Sequence, residues 1–120
     1  MALVKAVTVI ADHKGFAGPK AVGDEYRVDA YCDISSVVAL GSVVPASDFG
    51  LTTITAVCIT GDDNVNNSTN YIIPTVECSA TGAYESSTSV AFKFTTVASG
   101  TTISDDANGG TVRVRVWGHI

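Results

Sequence analysis

Alternation of apolar and other residues with a period of two runs through most of this sequence, and it restricts the fold more than any other feature. Successive side chains of a β-strand point to opposite sides of the sheet, so this pattern marks a strand with one buried face. Residues 111–118 read TVRVRVWG, in which the valines take one side and Arg113, Arg115 and Trp117 take the other. No segment keeps the 3.6-residue period of an amphipathic helix. The pattern therefore predicts an all-β chain.

The alternation and the turn-forming residues between its segments locate the individual strands. We expect strands at residues 3–11, 24–34, 52–60, 71–80, 89–98 and 111–117, with shorter extended pieces at 36–44 and 101–103. The nearly continuous apolar run at 52–60 is typical of a central strand covered on both faces. Pro74 favours an edge or a bulge for its strand. Residues 45–51 predict one helical turn, capped by Ser47 and closed by Gly50 in the left-handed conformation.

Seven or eight short strands separated by turns are typical of an antiparallel β-sandwich or barrel. A length of 120 residues fits one domain, which we place at residues 1–120. Apolar residues make up 46% of the chain, enough to supply a core. We expect Tyr26, Phe49, Phe92 and Phe94 to contribute to it.

Charge and hydropathy argue against two classes of partner. The formal net charge is −5 with only 7 Lys and Arg residues, whereas a nucleic-acid binder needs a basic footprint. No apolar run reaches the roughly 20 residues of a membrane span. Residues 1–10 are apolar but have no basic segment of the kind that opens a signal peptide. We interpret them as a first strand, and we expect synthesis and folding in a cytoplasm.

The chain has three cysteines, Cys32, Cys58 and Cys78, each within an expected strand and without a C-x-x-C motif. The favoured interpretation is three small buried hydrophobic residues. A bridge between Cys32 and Cys58, or between Cys58 and Cys78, stays open as an alternative that would leave one thiol unpaired.

Nothing in the sequence predicts catalysis or a cofactor. His13 and His119 are the only histidines, and no hydrolase, P-loop, dinucleotide-binding or zinc-protease motif accompanies them. Two oxygen-rich loops raise the question of calcium, which prefers such ligands. They contain Asp62, Asp63, Asn64 and Asn66 in one case and Asp105, Asp106 and Asn108 in the other. Neither has EF-hand spacing, so turn formation is the favoured role and no metal site is expected.

The remaining candidate functional sites are surfaces that could bind another molecule. Arg and Trp dominate the energetics of protein interfaces, so Arg113, Arg115 and Trp117 predict a contact face. Apolar ends of the chain would extend it if they lie at a sheet edge. The candidate interface residues are Leu3, Val4, Arg113, Arg115, Trp117, His119 and Ile120. A glycan-binding face using Tyr31, Tyr84 or Trp117 is the alternative.

Three segments resemble a family. ALVKAVTV at residues 2–9, LGSVVPASDFGLTTITAV at 40–57 and GTVRVRVWG at 110–118 are similar in pattern and order to small proteins encoded beside the major capsid protein of tailed bacteriophages. Residues 61–78 depart from that pattern. The resemblance implies a virion structural protein that decorates or cements the capsid exterior. It also implies the major capsid protein as partner and a homo-oligomer, with a trimer favoured; a neck or tail component is the related alternative.

Overall fold

The computed structural model describes residues 4–12, 14–38, 41–63, 72–77, 87–96, 100, 103 and 107–120. In chain order its strands are β1 (Val4–Val9), β2 (Lys20–Val22), β3 (Glu25–Ser36), β4 (Ser42–Pro45), β5 (Thr53–Asp62), β6 (Ile72–Glu77), β7 (Ser89–Thr96) and β8 (Gly110–His119). All their pairings are antiparallel. The expected all-β fold is confirmed.

The strands form two sheets. The larger sheet has five strands in the order β1-β3-β8-β5, and β2 pairs with the other end of β3 on the side away from β8. The smaller sheet has three strands in the order β4-β7-β6. Pro74 lies in β6, at the edge of that sheet, as expected for a residue that lacks a backbone donor.

One hydrophobic core joins the two sheets, and the alternation explains it. Every second residue of β3, β7 and β8 points inward and is buried: Val28, Ala30, Cys32, Ile34, Val90, Phe92, Phe94, Val112, Val114 and Val116. Phe49 and Leu51 close the core from the β4–β5 connection. Tyr26 packs against it while remaining partly exposed. The aromatic core positions expected from the sequence are confirmed.

The expected helical turn is present as a 3-10 turn at Ala46–Phe49. Gly50 follows it with φ 78°, the left-handed conformation that glycine adopts without steric cost. The cap prediction is wrong: Pro45 occupies the N-cap position and no side chain caps the turn, so Ser47 lies inside it.

The prediction that residues 52–60 form a central strand is wrong. β5 lies at the end of the larger sheet, its outward Ala56 is exposed, and Cys58 is half-buried. The apolar run looks continuous because the pairing of β5 with β8 has two register shifts, at Thr55 and Thr60. Each bulge adds one residue, so apolar residues turn inward although they are not spaced strictly by two.

β2 was not expected, because three residues are too few to establish an alternation. Several expectations lie outside the described residues, including the strand ends at 3, 71, 78–80 and 97–98 and most of residues 101–103. In the described part of the chain, no helix is long and apolar enough to cross a membrane.

Candidate interface on the larger sheet

The outward side of the larger sheet gathers all three arginines of the chain and its only tryptophan. The register between β3 and β8 places Arg27 opposite Trp117, Asp29 opposite Arg115, and Tyr31 opposite Arg113. These side chains share one side of the sheet because their neighbours along each strand point into the core. We call the set Arg27, Asp29, Tyr31, Arg113, Arg115 and Trp117 the arginine face.

Electrostatics of the arginine face differ from those of the whole chain. Its three guanidinium groups share the outward side of β3 and β8 with the carboxylates of Glu25, Asp29 and Asp33, so the formal charges on this side balance, whereas the chain has a formal net charge of −5. A partner would meet guanidinium groups and carboxylates side by side here, so electrostatic complementarity would fix the register of a contact more than its strength.

Asp29 binds two arginines in the middle of this face. Its Oδ1 accepts a hydrogen bond from Nε of Arg115 at 2.8 Å, and its Oδ2 lies 3.9 Å from Nε of Arg27. The Asp29 carboxylate raises the pKa of the Arg115 guanidinium, first through this hydrogen bond and then through its charge. Arg115 is therefore held in a defined orientation while 36% of its side chain remains exposed.

Arg113 has different surroundings although it lies only two residues away. Its guanidinium carbon lies 5.9 Å from the centre of the Tyr31 ring, within the range of a cation–π contact. Its Nε is buried and has no hydrogen-bond partner. An unsatisfied buried donor is costly, and because this Nε is inaccessible, a partner could supply an acceptor only if the side chain moved.

An open depression of about 330 Å³ borders Arg113 and Tyr31. Its other lining residues are Thr60, Gly61, Asp62, Asp63 and Thr111. Asp63 is partly engaged, because its Oδ1 accepts a hydrogen bond from the Thr111 amide at 3.1 Å. Tyr31 is 45% exposed, so its ring is available at the edge of the depression.

At the opposite end of β8, Trp117 is half-buried and has Arg27 on one side and Ala56 of β5 on the other. His119 continues the row but is bound to β5. Its Nδ1 lies 3.1 Å from Oγ1 of Thr53. Ile120 follows with 64% of its surface exposed.

The sequence-predicted interface residues do not all come together. Arg113, Arg115, Trp117 and His119 form one row on β8. Val4 pairs with Ser36, at the far end of β3 from Arg27 and Trp117, and its side chain lies outside the described part, as does Leu3. Val4 and Ile120 therefore lie toward opposite ends of the larger sheet.

Sequence reasoning missed the contribution of β3. Arg27, Asp29 and Tyr31 alternate with the buried residues of β3, which indicates their outward direction, but nothing in the sequence connects them to β8. Asp29 and Arg115 are 86 residues apart in the sequence, and only the order of the strands brings them into contact. The only available signal was that both segments alternate and carry arginine on their outward faces.

The two cysteines that the structure describes occupy opposite sides of the larger sheet. Cys32 is a buried free thiol in β3, and Cys58 is a half-buried free thiol on the outward side of β5, opposite Arg115. The alternative of a Cys32–Cys58 bridge is therefore wrong, and Cys58 is not bridged to Cys78 either. Burial raises the pKa of the Cys32 thiol to about 12. Cys78 itself lies outside the described part of the chain.

Across the described residues, no group of three or more His, Cys, Asp or Glu side chains is placed to hold a metal ion. Asn108 has the turn role that the sequence favoured, since its Oδ1 accepts a hydrogen bond from the Gly110 amide at 2.9 Å. His13, Asn64, Asn66, Tyr84, Asp105 and Asp106 lie outside the described residues.

Comparisons of this chain with protein-family models, with curated proteins and with solved structures give no match.

Proposed function

We propose that this chain is a virion structural protein that decorates and stabilises the capsid exterior by binding the lattice of the major capsid protein. The proposal rests on the resemblance of residues 2–9, 40–57 and 110–118 to small phage structural proteins. The arginine face supports it by providing a surface with the composition of a protein interface.

The single observation that carries the proposal is the concentration of Trp117 and all three arginines on one side of one sheet. Trp and Arg are the residue types most enriched at interface hot spots. Arg115 is oriented by Asp29 before any partner arrives, so less side-chain entropy is lost when it makes a contact.

A decoration role has a direct thermodynamic basis. A protein that binds the assembled shell and not the free subunit stabilises the shell by mass action. A trimer seated on a three-fold axis would place three copies of the arginine face on the lattice, and linked contacts raise the overall affinity. We propose a trimer for this reason.

The experiment is cosedimentation of the purified chain with mature shells that lack it. We expect the wild-type chain to pellet with shells, and Trp117→Ala to weaken binding by about 2 kcal/mol or more, as expected for a hot spot. Ile73→Ala is the matched control, because Ile73 is 49% exposed on the smaller sheet, away from the arginine face. A wild-type chain that never pellets with shells would contradict the proposal.

Location separates the decoration role from a neck or tail role. Electron micrographs of particles with and without the protein should show added density distributed over the shell. Density confined to the neck or tail would instead assign the chain to that part of the virion.

A second candidate function is recognition of a neutral glycan, and the depression beside Tyr31 favours it. An exposed aromatic ring can stack on a sugar, while Asp62, Asp63 and Arg113 offer both acceptors and donors for hydroxyl groups. Chemical-shift changes at Tyr31 and Gly61 on addition of neutral monosaccharides would support this function. A glycan array without hits, together with unchanged shifts, would dismiss it.

A further inference from the structure

Phe16 is a conspicuous apolar residue on the surface. Its exposed fraction is 67%, the highest among the large hydrophobic residues of the described chain. Isolated exposed hydrophobic residues are common and need no explanation. What distinguishes Phe16 is the backbone that carries it.

The backbone at Phe16 is held by the Asp12 side chain. Oδ1 of Asp12 accepts hydrogen bonds from the amides of Lys14 at 2.9 Å and of Phe16 at 3.0 Å. The Asp12 amide donates to the Phe16 carbonyl at 2.8 Å, and the Gly15 amide donates to the Asp12 carbonyl at 2.9 Å. Gly15 has φ 88°, which permits the tight turn.

Lys20, at the start of β2, contacts both Asp12 and Phe16. Its Nζ lies 3.1 Å from Oδ2 of Asp12 and donates to the Phe16 carbonyl at 3.3 Å. Both backbone groups of Phe16 and both oxygens of the Asp12 carboxylate therefore have partners. An exposed ring on a backbone fixed in this way has already lost much of the conformational entropy that binding would otherwise cost.

The loop lies at the Trp117 end of the larger sheet. Lys20 pairs with Arg27, which in turn pairs with Trp117, so all three lie at the same end of the larger sheet. Val22 lies on the same side of β2 as Lys20 and is 49% exposed. The end of the sheet that presents Trp117 thus continues across β2 to the loop that presents Phe16.

We propose that Phe16 is a preformed anchor that inserts into an apolar pocket on the major capsid protein lattice, with carboxylates of the capsid protein around the rim of that pocket. Lys14 argues for this rim, because it is exposed two residues from Phe16, whereas the charges of Lys20 and Asp12 compensate each other in an ion pair. The inference rests on the proposed function, since it assigns part of that interface.

The test compares the affinity of four proteins for shells in the same cosedimentation experiment. Phe16→Ala should bind about 30-fold or more weakly than the wild type, the loss expected for a buried aromatic anchor. Phe16→Leu should recover part of the affinity, because it keeps an apolar side chain. Val43→Ala is the matched control, since Val43 is 48% exposed on the smaller sheet.

Asp12→Ala tests the fixed backbone separately from the ring. This variant keeps Phe16 but removes the acceptor of the Lys14 and Phe16 amides. We expect faster hydrogen exchange at these two amides and a loss of affinity smaller than that of Phe16→Ala. Unchanged exchange and affinity in Asp12→Ala would overturn the claim that the loop is held in advance for binding.

The outcomes distinguish this inference from the function on which it rests. A wild-type chain that does not pellet overturns both. Wild-type binding with full affinity in Phe16→Ala overturns the anchor alone. Sedimentation velocity of the free proteins gives the remaining outcome: if Phe16→Ala dissociates an oligomer of the wild-type chain, the ring contacts a second copy and the capsid pocket is overturned.

Discussion

Two arginines of one strand show how the surroundings of a residue decide what it offers to a partner. Arg115 is paired with Asp29, so its charge is partly compensated and its orientation is fixed. Arg113 contacts the Tyr31 ring and keeps a buried Nε without a partner. Exposed ion pairs contribute little to stability, about 0–1 kcal/mol, so the value of the first arrangement lies in orientation. The second orients Arg113 through a ring contact instead.

The two described cysteines should differ sharply in reactivity. In a Cys78→Ser background, a thiol reagent at pH 8 should modify Cys58, which is half-buried on the outward side, and leave Cys32 unmodified. Burial raises the pKa of Cys32 to about 12, so almost no reactive thiolate forms. Mass spectrometry of the labelled peptides measures this, with the chain in denaturant as the control in which both thiols react.

The same pKa shift has a consequence for stability. The native state holds the Cys32 proton more tightly than the unfolded chain, whose thiol pKa is about 8.5. Its contribution to the free energy of unfolding is therefore complete below that value and is lost as pH rises toward about 12. Rapid modification of Cys32 in the native protein at pH 8 would contradict the burial on which both expectations depend.

At the level of strands, the contact between β5 and β8 requires glycine at position 118. A Cβ atom on Gly118 would overlap the carbonyl oxygen of Thr53, which belongs to the β5 backbone and cannot rotate away. Gly118→Ala should therefore lower the free energy of unfolding by about 1–3 kcal/mol, the usual cost of overpacking. Gly61→Ala is the matched control, because a Cβ at Gly61, also in the β5–β8 pair, meets nothing within 4 Å. Denaturant titration measures both, and equal stability of the two variants would refute the close approach.

The existence of every strand except the three-residue β2 could be predicted from the sequence, but the strand order could not. β3 and β8 alternate cleanly because one face of each lies on the core, and that pattern is local. The position of β5 was predicted wrongly because its two bulges break the alternation of buried and exposed residues. Bulges form against a particular partner strand, so the sequence of β5 alone does not indicate them. Which strands become neighbours is decided by contacts between distant residues, such as Tyr31 with Arg113, and the sequence carries no local sign of them.

For the whole molecule, only part of the candidate interface could be predicted from the sequence. Arg113, Arg115 and Trp117 could be identified because they alternate with buried valines within one strand. The β3 half and the Phe16 loop could not, since they join the interface only through the pairing of β2 and β8 with β3. The role of Asp12 depends on hydrogen bonds to specific backbone amides, which require a folded loop to be recognised.

Because one core joins the two sheets, a destabilising substitution in the smaller sheet should also lower the denaturation midpoint of the larger sheet. Phe92 of β7 is fully buried, so Phe92→Ala should cost roughly 3–5 kcal/mol. Trp117, the only tryptophan, reports on the larger sheet by fluorescence, while far-UV circular dichroism reports on both. We expect both signals to shift to lower denaturant by the same amount, as in a cooperative transition.

Two further variants keep this expectation testable. Phe92→Leu serves if the alanine variant does not fold, because it leaves a smaller cavity and should cause a smaller shift of both signals. Lys93→Ala is the control on the same strand, since Lys93 is exposed and should change stability by less than about 0.5 kcal/mol. A Trp117 transition that stays in place while the circular dichroism signal shifts would mean that the larger sheet folds without the smaller one. The arginine face would then depend on the larger sheet alone, and the shell binding that we propose for it should survive the loss of Phe92.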